Sequence, residues 1–239
     1  MRSMLSSVGA MALLLPWGQP AEAVSLRVAP TTVELIAPDS SAVLNLRNEA
    51  KRPINVQIRV FRWSQEAGVE QLKPTSDVVA SPPATELGPN ADYVVRIVRV
   101  SKAPVRTEES YRIVVDELPD PSRRKAGTVS LVVRHSIPVF FRDADASSPQ
   151  VSWGLTAAGN SLMLTARNKG DSRLRLSDLA LSQSGKRVGG RKGLVGYVLG
   201  GSTMQWPIPR AKQLSGGSVT LSGQSHTGPF DAKVAIKGR

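Results

Sequence analysis

Only two side chains in this sequence, His135 and His226, ordinarily titrate near neutral pH, so general acid–base chemistry would have to run through one of them. A serine triad would set such an imidazole between a hydroxyl and a carboxylate, but no nucleophile-elbow sequence accompanies either histidine. With no cysteine, a transition metal would depend on carboxylates for most of its ligands, and no suitable spacing occurs. Asp116 and Glu117 are adjacent, but in a strand neighbouring side chains project to opposite faces and cannot act on one bond. The stretch GKRVGGRKG, residues 185–193, has the glycines of a phosphate cradle without the Lys-Ser/Thr pair or a following helix, and reads as a flexible basic hairpin loop. The expectation is a protein that is not an enzyme and holds no metal and no cofactor.

Two apolar rows are more informative. Tyr111, Ile113 and Val115 lie on one face of a strand, and Glu117 continues that row. A buried carboxylate needs a cation, for which Arg142 is the candidate, or the strand end must lift it into water. The second row runs through TVSLVVRHSIPVFFR, residues 128–142, where Val129, Leu131, Val133, Ile137, Val139 and Phe141 alternate, with His135 the one exception. At about 3.3 Å per residue it would extend roughly 50 Å, far beyond an ordinary strand. It is either the inner face of a sandwich strand or a ridge offered to a partner. Pro138 favours an edge, because proline cannot donate a ladder bond, and a long apolar edge aggregates unless it is covered or used.

These rows sit among short β-rich runs separated by Pro, Gly, Asn and Asp, with no sustained helical period. The chain of 239 residues is therefore all-β. Residues 24–143 and 151–239 each hold about seven such runs, the pattern of an immunoglobulin-like sandwich, and the polar segment 144–150 is the linker. Residues 1–23 place Arg2 before an apolar run and end in Ala21-Glu22-Ala23, which reads as a cleaved signal peptide, too short to span a bilayer. No later segment reads as a membrane span. The net charge of +12 suits anionic lipid or an acidic protein; scattered cations with few interleaved aromatics argue against nucleic acid.

The ordered set VFRWSQEAG, SPPATELGPN, YVVRI, YRIVVDELP, HSIPVFFR and GLVGYVLGGSTMQWPI resembles the periplasmic chaperones of chaperone-usher pili, and within them the archaic branch that assembles spore-coat-like subunits. The resemblance covers the chain after its leader. It implies two immunoglobulin-like domains set at an angle, residence in the periplasm, pilus subunits and an outer-membrane usher as partners, and donor-strand complementation. In that mechanism the chaperone's apolar row fills a groove in a subunit that lacks its own last strand. The matched donor residues are Val129, Leu131, Val133, His135 and Ile137.

The resemblance also implies cations that grip the subunit's terminal carboxylate, but the matching positions here are Thr32 and Pro138. Arg96 and Arg134 are the replacement candidates, since a guanidinium binds a carboxylate through two parallel bonds. Glu117 and Arg142 match positions that form a structural ion pair near the domain junction, whose third member, an acid, would fall near Ser225 or His226. The competing expectation is an adhesive module binding carbohydrate; Trp63, Trp153 and Trp206 would be its platform, but all three lie in strand-like contexts.

Overall fold

Alternation of buried and exposed residues builds nearly every element of the chain. The computed structural model describes residues 26–120, 122, 127, 131–158, 161–209 and 217–237, which form 17 strands and no α-helix. The leader and Val129 lie outside the described residues.

The strands sort into two sandwiches. The first pairs a four-stranded sheet, in the order β1 (Leu26–Ala29), β3 (Ser41–Asn48), β8 (Asp92–Arg99), β6 (Val78–Ser81), with a six-stranded sheet. The latter runs β2 (Val33–Ile36), β10 (Arg134–Arg142), β9 (Glu109–Leu118), β4 (Ile54–Glu66), β5 (Val69–Pro74), with β7 (Ala84–Leu87) also on β4. Leu44, Leu46, Val95 and Ile97 from one sheet meet Val56, Ile58, Ile113, Val115, Val139 and Phe141 from the other in a continuous core. The second sandwich follows the order β14 (Lys186–Val198), β13 (Leu174–Gln183), β16 (Ser218–Ser225), β17 (Gly228–Lys237), β11 (Val151–Ala158), β12 (Ser161–Asn168), β15 (Thr203–Pro209). Its core gathers Leu155, Leu164, Leu176, Leu181, Ile208 and Leu221.

Each sandwich fixes a loop with a buried asparagine. Asn48 donates to the carbonyls of Arg52, Leu87 and Gly88, and Asn168 donates to those of Ser172 and Val198. Their Oδ1 atoms accept from Ala50 N and from Gln150 N and Gly170 N, so these buried amides are bonded at both ends.

Two expectations about elements are corrected. Of the described residues of the long apolar segment, 131–142, only Arg134–Arg142 form a strand, and Leu131–Val133 precede it outside any strand. The basic stretch expected to be a flexible loop is mostly strand: Lys186–Gly193 form the first half of β14, paired with β13 beyond a tight turn at Ser184 and Gly185. Four glycines there hide the alternation, and cross-strand pairing supplies the order that the side chains do not.

The sandwiches touch through a compact apolar contact. Trp63 and Phe140 of the first pack on Tyr197 and Leu199 of the second, with Trp63 edge-on to Tyr197 at 5.3 Å. Buried Gln65 donates to the Tyr197 carbonyl and accepts from Leu199 N, both at 2.9 Å, locking the two backbones together.

Candidate functional site

Among the described residues, half of β10 has no strand on the side away from β9. Over Arg134–Phe141 β10 pairs antiparallel with β9, but on the other side the short parallel strand β2 reaches only Val139–Arg142. Glu117 N donates to Val133 O at 2.9 Å, which makes 133 and 117 a hydrogen-bonded pair. In an antiparallel ladder such pairs alternate, so the backbone groups of Arg134 and Ser136 point away from β9, toward the open side. Pro138 falls in the same phase, where its missing N–H costs no bond, and β2 takes over one residue later. The exposed backbone row is thus bounded by proline at one end. β1 is the end strand of the facing sheet, and His135 spans the gap between the two edges with its Nε2 donating to Leu26 O at 2.9 Å.

The apolar row divides along this edge. Ile137, Val139 and Phe141 lie in the domain's own core, so the inclusion of Ile137 among residues offered outward is corrected: it is 5% exposed and packed between the sheets. His135 and Val133 are half-buried at the rim. Leu131 is 86% exposed, and Val132 beside it is 46% exposed. One ridge therefore continues out of the chain's own core, past a sheet edge and into solvent.

The candidate anchors separate in the same way. Arg96 lies on β8, in the opposite sheet, between inward-facing Val95 and Ile97, so its exposed side chain points away from the core and from β10. That placement removes it from the open edge. Arg134 does stand on β10, but its guanidinium already bonds Asp116, which also accepts from Arg59 at 2.6 Å. Burial pushes the Asp116 carboxyl up, and the bonds from the two arginines more than reverse this, holding it below the usual range.

Thr32 and Pro138 come together one residue before the Val33–Val139 pair, so the two uncharged positions do meet at one point. A cation stands next to them. Arg112 on β9 is the cross-strand partner of Pro138, and its guanidinium lies 3.8 Å from the Trp63 ring centre and 5.5 Å from that of Tyr197, beside the contact between the sandwiches. Glu70 approaches only to 3.9 Å, and burial pushes the pKa of Arg112 down. Sequence reading missed this residue because it is one strand away from the expected place; the signal was the single arginine on the outer face of YRIVVDEL, opposite a proline that only register reveals.

The expected Glu117–Arg142 ion pair is not formed. Antiparallel pairing sets Arg134 opposite Asp116 and Phe141 opposite Glu109, which puts Glu117 and Arg142 at opposite ends of the ladder. Glu117 instead lies 3.8 Å from Arg52, while Arg142 donates weakly to Asp143 O. The junction network is built from other residues and with the opposite polarity. Arg173, from the second sandwich, bonds Glu108 and Glu34 of the first, its backbone N donates to Glu108 at 2.9 Å, and its guanidinium stacks 3.6 Å above Phe140. His226, near the expected third position, accepts from Arg175 N at 3.4 Å, and burial and then Arg173 hold its pKa down.

Among the described residues no cluster of His, Asp and Glu could hold a metal. Trp63 and Trp206 are buried, and Trp153 stacks flat on Phe230 at 5.5 Å. No helix among the described residues is long and apolar enough to cross a membrane.

Two tandem immunoglobulin-like sandwiches are thus joined by a buried contact, with a half-open apolar edge on β10. Residues 25–146, just over half of the chain, match the family described as pili and flagellar-assembly chaperone, PapD N-terminal domain, and the chain belongs to that family. Its fold is similar to that of the CsuC–CsuE chaperone–tip adhesion subunit complex of the archaic Csu pili of Acinetobacter baumannii, at 24% identity and TM-score 0.68, over 90% of this chain and 100% of that one. The E. coli chaperone DraB matches at 25% identity and TM-score 0.60, over 88% of this chain and 97% of its own. The SafB chaperone complex with SafA pilin from Salmonella enterica matches at 20% identity and TM-score 0.62, over 89% and 97%. No curated protein matches by sequence.

Proposed function

We propose that the chain is a periplasmic chaperone that lends β10 and the residues before it to a pilus subunit, and then delivers that subunit to an outer-membrane usher. The observation that carries this reading is the ridge from the buried Ile137 to the exposed Leu131, along an edge with no strand beside it among the described residues. An edge of that kind is an aggregation hazard unless another chain uses it, and strand addition is such a use. The solved complexes of CsuC with CsuE and of SafB with SafA support the same reading, and the likeness to CsuC favours the archaic branch. Val129, Leu131, Val133 and His135 are the donor side chains. The three apolar groups among them contribute roughly 4–9 kcal/mol gross before ordering and association are subtracted. Release then follows exchange for a subunit–subunit strand, without nucleotide. Co-expression with a secreted subunit tests the assignment: a stable complex is expected, and a subunit that folds equally well without the chain would contradict it.

Arg112 is the carboxylate anchor in this reading. A terminal carboxylate reaching the domain junction beside Thr32 and Pro138 would meet a guanidinium already held by Trp63 and Tyr197. Arg112→Ala is expected to weaken subunit binding by about 10- to 100-fold, the worth of a hydrogen bond to a charged group. Because the substitution also removes the stack on Trp63, amidation of the subunit's C-terminus is the matched measurement: it should weaken binding to the wild-type chain and leave binding to Arg112→Ala nearly unchanged. An equal effect of amidation on both proteins would exclude Arg112.

A further inference from the structure

The positive charge of this protein is concentrated in one domain. Residues 144–239 contain thirteen Lys and Arg against four Asp and no Glu, a net +9, whereas residues 24–143 contain seventeen against fourteen. Within the second domain the charge collects on the β13–β14 hairpin. Lys186, Arg187, Arg191 and Lys192 are all exposed on β14, the end strand of its sheet, and none makes an ion pair among the described residues. The hairpin's one acid, Asp178, accepts from Gly193 N at 2.8 Å.

The hairpin is ordered around these cations. Ser184 and Gly185, with φ of 50° and 74°, make a two-residue turn of the hand that suits a twisted hairpin. Arg187 Nε donates to Gly189 O at 3.3 Å, and a Cβ on Gly190 would lie 2.4 Å from Arg187 Nη2, so the guanidinium rests on bare glycine backbone.

We propose that this hairpin holds the chain against an anionic phospholipid surface. The proposal rests on the exported location argued above, but not on subunit binding. Protein interfaces deplete lysine and gather apolar and aromatic groups at their centre, and here the cations surround glycine, with Leu194 the one exposed large apolar side chain on the hairpin. An anionic bilayer requires no shape match, and each Lys or Arg near its surface strengthens binding about fivefold. Lys186 is eleven residues along β14 from Tyr197 at the domain contact, roughly 35 Å at about 3.3 Å per residue. Docking by the tip therefore leaves the open edge of β10 accessible.

The test is co-sedimentation of the purified chain with vesicles of phosphatidylcholine alone or with phosphatidylglycerol, in low and high salt. Binding is expected only with phosphatidylglycerol, and is expected to fall as salt rises, because exposed charges are screened. The variant K186Q/R187Q/R191Q/K192Q should bind roughly 600-fold more weakly, with an unchanged thermal midpoint showing that it is folded. The variant K51Q/R96Q/K102Q/R106Q removes four exposed charges from the first domain and should bind within about twofold of wild type. Equal losses in both variants, no loss in the hairpin variant, or binding to polyglutamate without binding to the vesicles would each overturn the proposal. A chain that binds vesicles but no subunit would leave this inference standing and remove the chaperone reading instead.

Discussion

Replacing Leu131 and Val133 together by aspartate is expected to abolish recovery of a co-expressed pilus subunit, while the chain itself still folds. Leu131 makes little use of its own domain, being 86% exposed, so its substitution should change stability by no more than about 0.5 kcal/mol. In a subunit groove the same position would be enclosed. The change then removes about 2 kcal/mol of apolar burial and adds the cost of placing a carboxylate where nothing compensates it. Two such positions together exceed about 4 kcal/mol, a thousandfold or more in affinity. Ile137→Asp is the informative contrast. That side chain is in the core between the sheets, so its replacement should lower the unfolding midpoint of the chaperone whether or not a subunit is present. Thermal unfolding of each variant alone, beside pull-down of the subunit, separates the two effects. If Leu131→Asp destabilises the free chain as much as Ile137→Asp does, the ridge is not an offered surface.

Alternation made the two sandwiches legible. Runs such as YRIVVDEL and AVLNLRN carry their buried faces in plain view, and the observed strands β9 and β3 cover them. Strands β5, β6 and β7 were not legible, because they are four to six residues long and carry few buried side chains. Register was not legible either. The pairing of Glu117 with Arg142 follows from treating two rows as neighbours, yet an antiparallel ladder sends their ends apart. The same limit concealed Arg112, which matters only because Pro138 lies opposite it. Arg173 was hidden for another reason. In DSRLRLSD it looks like a solvated strand-end charge, and only the approach of the first sandwich, with Glu34, Glu108 and Phe140, buries it.

That burial makes Arg173→Ala the most damaging single change expected at the domain junction. The Arg173 side chain is 4% exposed and that of Glu108 is 1% exposed, so removing the guanidinium leaves a carboxylate enclosed without its counter-ion. Breaking a buried pair in this way costs about 3–5 kcal/mol, and loss of the stack on Phe140 adds to it. Chemical denaturation should show the loss, and small-angle scattering should show a wider spread of domain orientations, since Glu34, Glu108 and Phe140 are all on the first sandwich and Arg173 on the second. The pH dependence carries a definite sign. Burial already pushes the Glu108 carboxyl up in the intact protein, with Arg173 pulling the other way. Without Arg173 it rises further, so the folded state of the variant takes up a proton that the unfolded chain releases. A group raised in this way favours folding below its unfolded pKa and loses that contribution as pH rises through the folded value. The deficit of Arg173→Ala should therefore be largest at neutral pH and shrink on acidification toward the ordinary carboxylate range. Glu108→Gln added to Arg173→Ala should recover part of the loss at pH 7 and flatten the dependence, because a buried amide carries no charge to desolvate. A deficit that stays constant from neutral pH to about pH 4.5 would show that Arg173 acts through its packing on Phe140 and not through Glu108.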